Sequence, residues 1–165
     1  MWGILIIVEW FVGLVLLQGL VLNHVNIFGF FTPAVYIYFV LSLNSAIGRK
    51  GVLIWAFFLG LCVDIFSNTP GLNTAATVFV AYFRRSFIRS QTLREISDNF
   101  RPDSKSMGGG PFLRYTFFVS FIHVLIIGIL DTFSFVNFGM ILLKALSDAV
   151  ITTVCILAID RMRRK

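Results

Sequence analysis

Ionisable side chains stand inside the long apolar stretches of this sequence: Glu9, Asp64, His123, Asp131, Lys144, Asp148 and Asp160. In hydrocarbon, a charged side chain costs about 2.5–3.5 kcal/mol to insert at the centre of a helix. Such groups therefore face protein or water and have a partner, and they can serve either a structural role or the binding of a proton or substrate.

Lys144 and Asp148 are four residues apart and share one face of a helix. Asp148 would lie near mid-membrane, about 16 Å from the outer end of its span at 1.5 Å per residue. We favour an internal ion pair between the two side chains, which would lower the insertion cost of both. A substrate or proton site is the alternative.

Asp64 interrupts the stretch LCVDIFSNTPGLN at residues 61–73. Gly60 lies on the same helical face as Asp64, and Asn73 shares a face with Thr77 on the next helix. Small residues would let these two helices approach closely: Gly60, Gly71, Ala75 and Ala76. We expect Asp64 to accept hydrogen bonds from Ser67, Asn68, the Asn73 amide or the first amides of the second helix. Asp64 would thereby hold the hairpin in one shape.

The remaining ionisable groups are expected to have structural or surface positions. Glu9 has no partner on its own helix and is expected to face protein, and His123 is expected to be a hydrogen-bonded packing residue. Asp131 and Asp160 lie at span ends, where solvent or snorkelling satisfies them. A metal site is not expected, because no second His or Cys stands at ligand spacing. Cys62 and Cys155 are read as small buried hydrophobes.

The composition indicates that the environment of these side chains is a membrane. The 165 residues are 58% hydrophobic and 13% charged, and the mean hydropathy is +0.88, whereas soluble domains carry about 25% charged residues. The first apolar stretch has no Lys, Arg or A-x-A site, so we read it as a retained span and not a cleaved signal peptide. The sequence predicts an all-α integral membrane protein of one domain, residues 1–165.

Six spans follow from the apolar runs: about 3–22, 31–48, 51–67, 70–88, 112–131 and 137–159. Every Lys and Arg except Lys144 lies in the alternate connections or after the last span. Because basic residues stay on the cytoplasmic side, both termini are predicted to be cytoplasmic. The net charge of +6 is therefore explained by the orientation in the membrane and does not indicate nucleic-acid binding.

The one long connection, residues 84–111, is basic and amphipathic. Its aromatic and aliphatic residues recur at loosely helical spacing between arginines, which is typical of a helix lying on anionic lipid. A fourth helix that simply extends beyond the membrane with a solvated basic face is the alternative. We expect Gly108, Gly109 and Gly110 to form a flexible joint before the next span.

The stretch GLCVDIFSNTPGLNTAATVFVAYF at residues 60–83 resembles the MreD family of rod shape-determining membrane proteins. The matching positions are Gly60, Leu61, Asp64, Ser67, Pro70, Gly71 and Asn73. The first hairpin region and the late KALSDAV also look like this family, so the resemblance covers essentially the whole chain. We expect the structural or partner-binding motif to comprise these polar and small positions together with Thr77.

The resemblance implies a non-enzymatic scaffold in the bacterial plasma membrane, with no cofactor. Its expected partners are the single-span protein MreC, and also RodA, the transpeptidase that works with RodA, and MreB filaments. Such a subunit would maintain cell shape by linking the filaments to peptidoglycan synthesis. The family is also similar to the substrate-binding membrane subunits of energy-coupling-factor transporters, a likeness of fold that does not carry function.

Two other functions remain open at this point. In a vitamin-type transporter subunit, Glu9, Asp64, Asn73, Lys144 and Asp148 would line a pocket for a small molecule. In an intramembrane aspartyl protease, Asp64 and Asp131 would share a proton. The protease is disfavoured because both aspartates are expected near the outer surface and no G-x-G-D motif is present.

Overall fold

The computed structural model of the chain describes residues 2–22, 32–92, 100–132 and 138–163, and these form helices and their connections. The helices are α1 (Trp2–Leu16, continued by a π-helical turn at Leu17–Leu22), α2 (Ile37–Ser42), α3 (Arg49–Ser67), α4 (Leu72–Gln91), α5 (Gly109–Thr132) and α6 (Phe138–Met162). Helix α4 packs between α3 and α5, and α5 packs against α6. The prediction of an all-helical chain is confirmed for the described residues.

Four helical segments are long and apolar enough to cross a membrane: Leu5–Leu22, Arg49–Ser67, Gly109–Thr132 and Phe138–Met162. They correspond to the predicted first, third, fifth and sixth spans. The predicted fourth span is also helical, over Leu72–Gln91. Helix α4 carries Arg84, Arg85 and Arg89 in its second half, which makes it more polar than the other four.

The basic residues of several elements meet at one end of the bundle, which we call the basic end. The Arg49 guanidinium at the start of α3 lies 4.0 Å from the ring centre of Tyr82 near the end of α4. The Arg163 guanidinium after α6 lies 4.6 Å from the ring centre of Trp10. The connection before α5 is bonded to the segment after α2 at this end, since Ser45 N–H donates to Phe100 O at 2.8 Å.

Residues 31–48, predicted as the second span, do not form a helix of membrane length in the described part of the chain. Residues 32–34 are not helical, and α2 covers only Ile37–Ser42. Pro33 lacks an N–H, and the neighbouring amides are bonded to side chains of other helices. Val35 N–H donates to Gln18 Oε1 at 3.0 Å, and Ala34 N–H donates to Thr152 Oγ1 at 3.0 Å. Non-helical backbone at membrane depth is tolerated where protein surrounds it in this way.

This segment, residues 33–43, is the centre of the core. Ile37, Tyr38, Val40 and Leu41 have no exposed surface. Aromatic rings from two neighbours close around it: the Phe39 ring centre lies 5.4 Å from that of Phe11 in α1 and 5.7 Å from that of Trp55 in α3. An apolar sequence that was predicted to be a membrane span is therefore enclosed by protein.

Arginines complete the carboxyl end of α2, whose last carbonyls have no partner within so short a helix. The buried Arg84 donates from Nη2 to the carbonyls of Leu41, at 3.4 Å, and Leu43. Arg101 Nε–H donates to Ser42 O at 3.1 Å. Cations at a helix carboxyl end also interact favourably with its dipole. Arg84 is thus a structural residue of the core, which the prediction of a surface-lying 84–111 connection did not foresee.

The rest of that connection is described in part, because residues 93–99 lie outside the described residues. Arg85 and Arg89 are exposed on the last turns of α4. Gly108 has a φ of +86°, a backbone conformation that favours glycine. Gly109 and Gly110 belong to the first turn of α5, so the predicted flexible joint is wrong for these two residues. Pro111 fits a first helical turn because its missing N–H would have no partner there.

Candidate functional site

The carboxylate of Asp64 joins the end of α3 to the start of α4. Its Oδ1 accepts hydrogen bonds from Thr69 Oγ1 at 3.1 Å, Asn73 N at 2.9 Å and Asn73 Nδ2 at 3.0 Å. Its Oδ2 accepts from Gly71 N at 3.1 Å, Thr74 N at 2.9 Å and Thr74 Oγ1 at 2.6 Å. We call these five residues the Asp64 clamp.

Three of the six donors are backbone amides at the beginning of α4, which have no acceptor within the helix. A carboxylate is the favoured partner there because the helix dipole places positive potential at this end. The expected bonds from Asn73 and from the first amides of α4 are present. Thr69 and Thr74 add two hydroxyl donors that the sequence pattern did not identify.

The backbone between the helices has the shape that this clamp requires. Asn68 closes α3 in the left-handed conformation, with a φ of 53°, and Gly71 has a φ of +88° just before α4. A Cβ at Gly60 would lie 2.8 Å from Thr74 N and closer still to its Cα. Gly60 therefore allows the helices to touch backbone to backbone, as predicted, whereas Gly71 serves the turn and Ala75 is exposed.

Asn73 connects the clamp to a second group of buried polar side chains, which we call the buried network. Tyr36 OH donates to Asn73 Oδ1 at 2.8 Å and lies 3.1 Å from His123 Nε2. Thr77 Oγ1 donates to Asn73 O at 2.6 Å and lies 3.2 Å from the same His123 nitrogen. His123 is fully buried, and the prediction of a hydrogen-bonded packing histidine is confirmed.

A cavity of about 400 Å³ opens beside the clamp, at the opposite end of the bundle from the basic end. Its larger apolar lining residues are Val63, Phe66, Val124, Ile127 and Ile141. Polar and charged groups converge on it from α1, the core segment and the other helices: Gln18, Tyr36, Asn73, Asp131, Lys144 and Asp148. We refer to this space as the end cavity.

Lys144 and Asp148 both line the end cavity, but no ion pair joins them among the described residues. Asp148 is buried, with 2% of its surface exposed, and its Oδ1 accepts a hydrogen bond from Thr32 N at 3.3 Å. Lys144 is exposed on the first turns of α6. The expected direct pair is therefore replaced by two charged side chains that face one space.

Two other expectations about charges are wrong. Glu9 is exposed on the surface of α1, because the face of α1 that packs inward carries Leu14 and Val15 and lies more than 100° around the helix. Asp160 is only 3% exposed. It accepts hydrogen bonds from Tyr38 OH at 3.3 Å and from Ser104 Oγ, so protein and not solvent satisfies it.

The other predicted residues lie outside the clamp. Ser67 lines the end cavity, and Pro70 is exposed in the turn. Asp131 is exposed at the end of α5, as expected. Cys62 and Cys155 are free and half-buried, so they are less enclosed than predicted.

The geometry of Asp64 does not favour acid–base chemistry. Each of its oxygens accepts three hydrogen bonds, which leaves no position for a proton shared with Asp131, as the protease alternative requires. Among the described residues, no group of three His, Cys, Asp or Glu could hold a metal ion. Of the charged groups among the described residues, Asp131, Lys144 and Asp148 line the end cavity.

Several site residues had no signal, or a weak one, in the sequence. Tyr36 and Thr152 are ordinary residues of apolar stretches, and their roles depend on contacts with distant helices. Gln18 did carry a signal, since an amide in an apolar span is costly unless it is bonded. It bridges Pro33 O and Val35 N, each at 3.0 Å.

Comparison of the chain with protein-family models, curated proteins and solved structures found no match.

Proposed function

We propose that this protein is a non-enzymatic scaffold of the MreD type in the bacterial plasma membrane. It crosses the membrane with both termini in the cytoplasm and holds MreC, thereby linking MreB filaments to RodA and its transpeptidase. Residues 31–48 and α4 complete six crossings in this arrangement, in a fold similar to that of the transporter subunits. The cytoplasmic side is the basic end, which agrees with the preference of Lys and Arg for that side.

The observation that carries this proposal is the Asp64 clamp. The positions on which the resemblance to MreD rests, above all Gly60, Asp64, Gly71 and Asn73, meet in one rigid structure that joins two helices. This arrangement gives a physical reason for the motif, since its carboxylate, glycines and amide hold the α3–α4 hairpin in a fixed shape. A fixed hairpin presents a constant surface to partners on the outer side of the membrane.

A second feature supports a partner within the membrane. Helix α1 exposes a ridge of apolar side chains, Leu5, Val12 and Leu16, with Glu9 and Gly13 between them. A Cβ at Gly13 would meet nothing within 4 Å. Glu9 lies about 6 Å inside the apolar window that begins at Leu5. A small residue beside an intramembrane carboxylate is the surface on which a partner helix packs closely and supplies a hydrogen-bond donor.

Co-purification tests this function. We expect Glu9→Gln to leave folding unchanged, because the side chain is exposed, and to lower the amount of MreC recovered with the protein by about tenfold, the effect of losing one charge-assisted hydrogen bond. Asp131→Asn, which removes an exposed carboxylate at the other end of the bundle, is the matched control. Equal recovery of MreC with both variants would contradict packing on α1. Failure of the unmodified protein to bind MreC would contradict the scaffold itself.

The end cavity favours a second function, that of a small-molecule-binding membrane subunit similar to those of vitamin transporters. Its volume of about 400 Å³ falls in the range typical of ligand pockets, about 300–1,000 Å³. Of the residues expected to line such a pocket, Asn73, Lys144 and Asp148 do so. Glu9 does not line it, and Asp64 contributes through two of its donors, Thr69 and Asn73. Equilibrium binding of a small molecule to the purified protein tests this function.

A further inference from the structure

Asp148 is a buried carboxylate that accepts one hydrogen bond from the described residues. It is 98% buried, in the wall of the end cavity. The Thr32 amide occupies Oδ1, and no described residue donates to Oδ2. An ionised carboxylate buried in this way needs a further donor or a cation.

Lys144 supplies a charge of the opposite sign to the same space without neutralising Asp148 directly. The two residues are one turn apart on α6, a rise of about 6 Å along the helix axis. An ammonium and a carboxylate at this separation can each bind one end of a small molecule that carries both charges. An anion alone would be repelled by Asp148, and a cation alone would leave Lys144 without a partner.

Two other polar groups at the cavity, Asn73 and Gln18, already have partners and so shape it without competing for a ligand. Asn73 donates to Asp64 and Thr69 and accepts from Tyr36. Gln18 is held between two backbone groups of the core segment. A binding site whose polar groups are fixed before the ligand arrives loses little conformational entropy on binding.

The apolar part of the lining determines which kind of group the ligand carries besides its two charges. Val63, Phe66, Val124 and Ile127 offer hydrocarbon and one aromatic ring to the interior of the cavity. This surface suits a short aliphatic or aromatic group and not a chain of hydroxyls.

We propose that the end cavity binds a small zwitterion of the amino-acid class, with its protonated amine on Asp148 and its anionic group on Lys144. The apolar lining receives the side chain of the ligand. This assignment rests on the second function above and specifies the chemistry of its ligand. It is independent of the scaffold function, which requires no ligand.

The experiment measures binding to the full-length protein in lipid nanodiscs. The probes are free α-amino acids with apolar side chains, each compared with two analogues of the same side chain. One analogue keeps the amine and lacks the carboxylate, and the other keeps the carboxylate and lacks the amine. We expect the amino acid to bind at least about tenfold more tightly than either analogue, since each loses one charge-assisted contact.

Two variants assign the charges. Asp148→Asn keeps an acceptor for the Thr32 amide and should weaken the amino acid about tenfold or more while leaving the amine-free analogue unaffected. Lys144→Met changes an exposed residue and should weaken the amino acid and spare the carboxylate-free analogue. Lys50→Met, an exposed lysine at the basic end, is the control and should bind like the unmodified protein.

The outcomes separate the ligand class from the function. Amino-acid binding that neither Asp148→Asn nor Lys144→Met changes would overturn the assignment. So would mass-spectrometric identification of a co-purified ligand that lacks either charge, although the small-molecule function would stand. Absence of binding by every probe, together with no small molecule co-purifying at stoichiometric amounts, would overturn both.

Discussion

Replacing Asp64 by asparagine tests whether the clamp stabilises the α3–α4 hairpin. Asparagine has nearly the same volume as aspartate, so packing against Gly60 and the turn is kept. It retains one acceptor oxygen, which can keep the three hydrogen bonds of one carboxylate oxygen, and places an NH₂ group where the other oxygen was. Three donors then have no acceptor, two of them backbone amides if the retained oxygen faces Asn73.

At about 1 kcal/mol for each lost hydrogen bond, Asp64→Asn should lower the free energy of unfolding by about 3 kcal/mol. This exceeds the average of about 0.6 kcal/mol measured for hydrogen bonds between membrane helices, because several bonds to one charged acceptor are lost together. The assay is unfolding in mixed micelles at increasing denaturing detergent, followed by the fluorescence of Trp55 on α3 with the other two tryptophans replaced by phenylalanine.

Asp131→Asn is the matched control, since it makes the same chemical change at an exposed carboxylate and should shift stability by less than about 0.5 kcal/mol. If Asp64→Asn were no more destabilising than this control, the six hydrogen bonds would not hold the hairpin. The physical reason given for the motif would then be wrong.

Two further substitutions test the packing by the same unfolding assay. Gly60→Ala should cost about 1–3 kcal/mol, because its Cβ meets the Thr74 backbone, whereas Gly13→Ala should be neutral or slightly stabilising; equal effects would contradict the close approach of the helices. Arg84→Met should cost about 2–4 kcal/mol, since buried carbonyls at the end of α2 lose their donors, and Arg85→Met should change little. A stable Arg84→Met variant would show that these carbonyls find other partners.

Local relationships were the part of the site that could be predicted. Asp64 and its donors lie within ten residues of one another, so helical periodicity and the turn residues were enough to bring them together. Gly60 was identified by its position one turn before Asp64. Thr69 lies in the turn and Thr74 in the first turn of α4, and both were missed because nothing in the local pattern distinguishes a threonine that donates to Asp64 from one that bonds to its own backbone.

Interactions between distant residues could not be predicted in the same way. The Thr32 amide bonds to Asp148, and the Ala34 amide to Thr152, across 116 and 118 residues. No periodicity within residues 31–48 reveals these partners, so an apolar run of span length was read as a continuous helix. For the same reason, the ion pair expected from the spacing of Lys144 and Asp148 gave way to a bond between Asp148 and another element.

Composition and periodicity by themselves determined that this chain is helical and suited to a membrane, and they located the Asp64 hairpin. These properties follow from side-chain transfer energies and from hydrogen bonds within one or two turns. Only the tertiary structure decided that residues 33–43 form the core, that Glu9 faces outward and that Lys144 and Asp148 share a cavity. Those outcomes depend on which helices become neighbours. They therefore depend on hydrogen bonds between buried polar groups that are far apart in the chain.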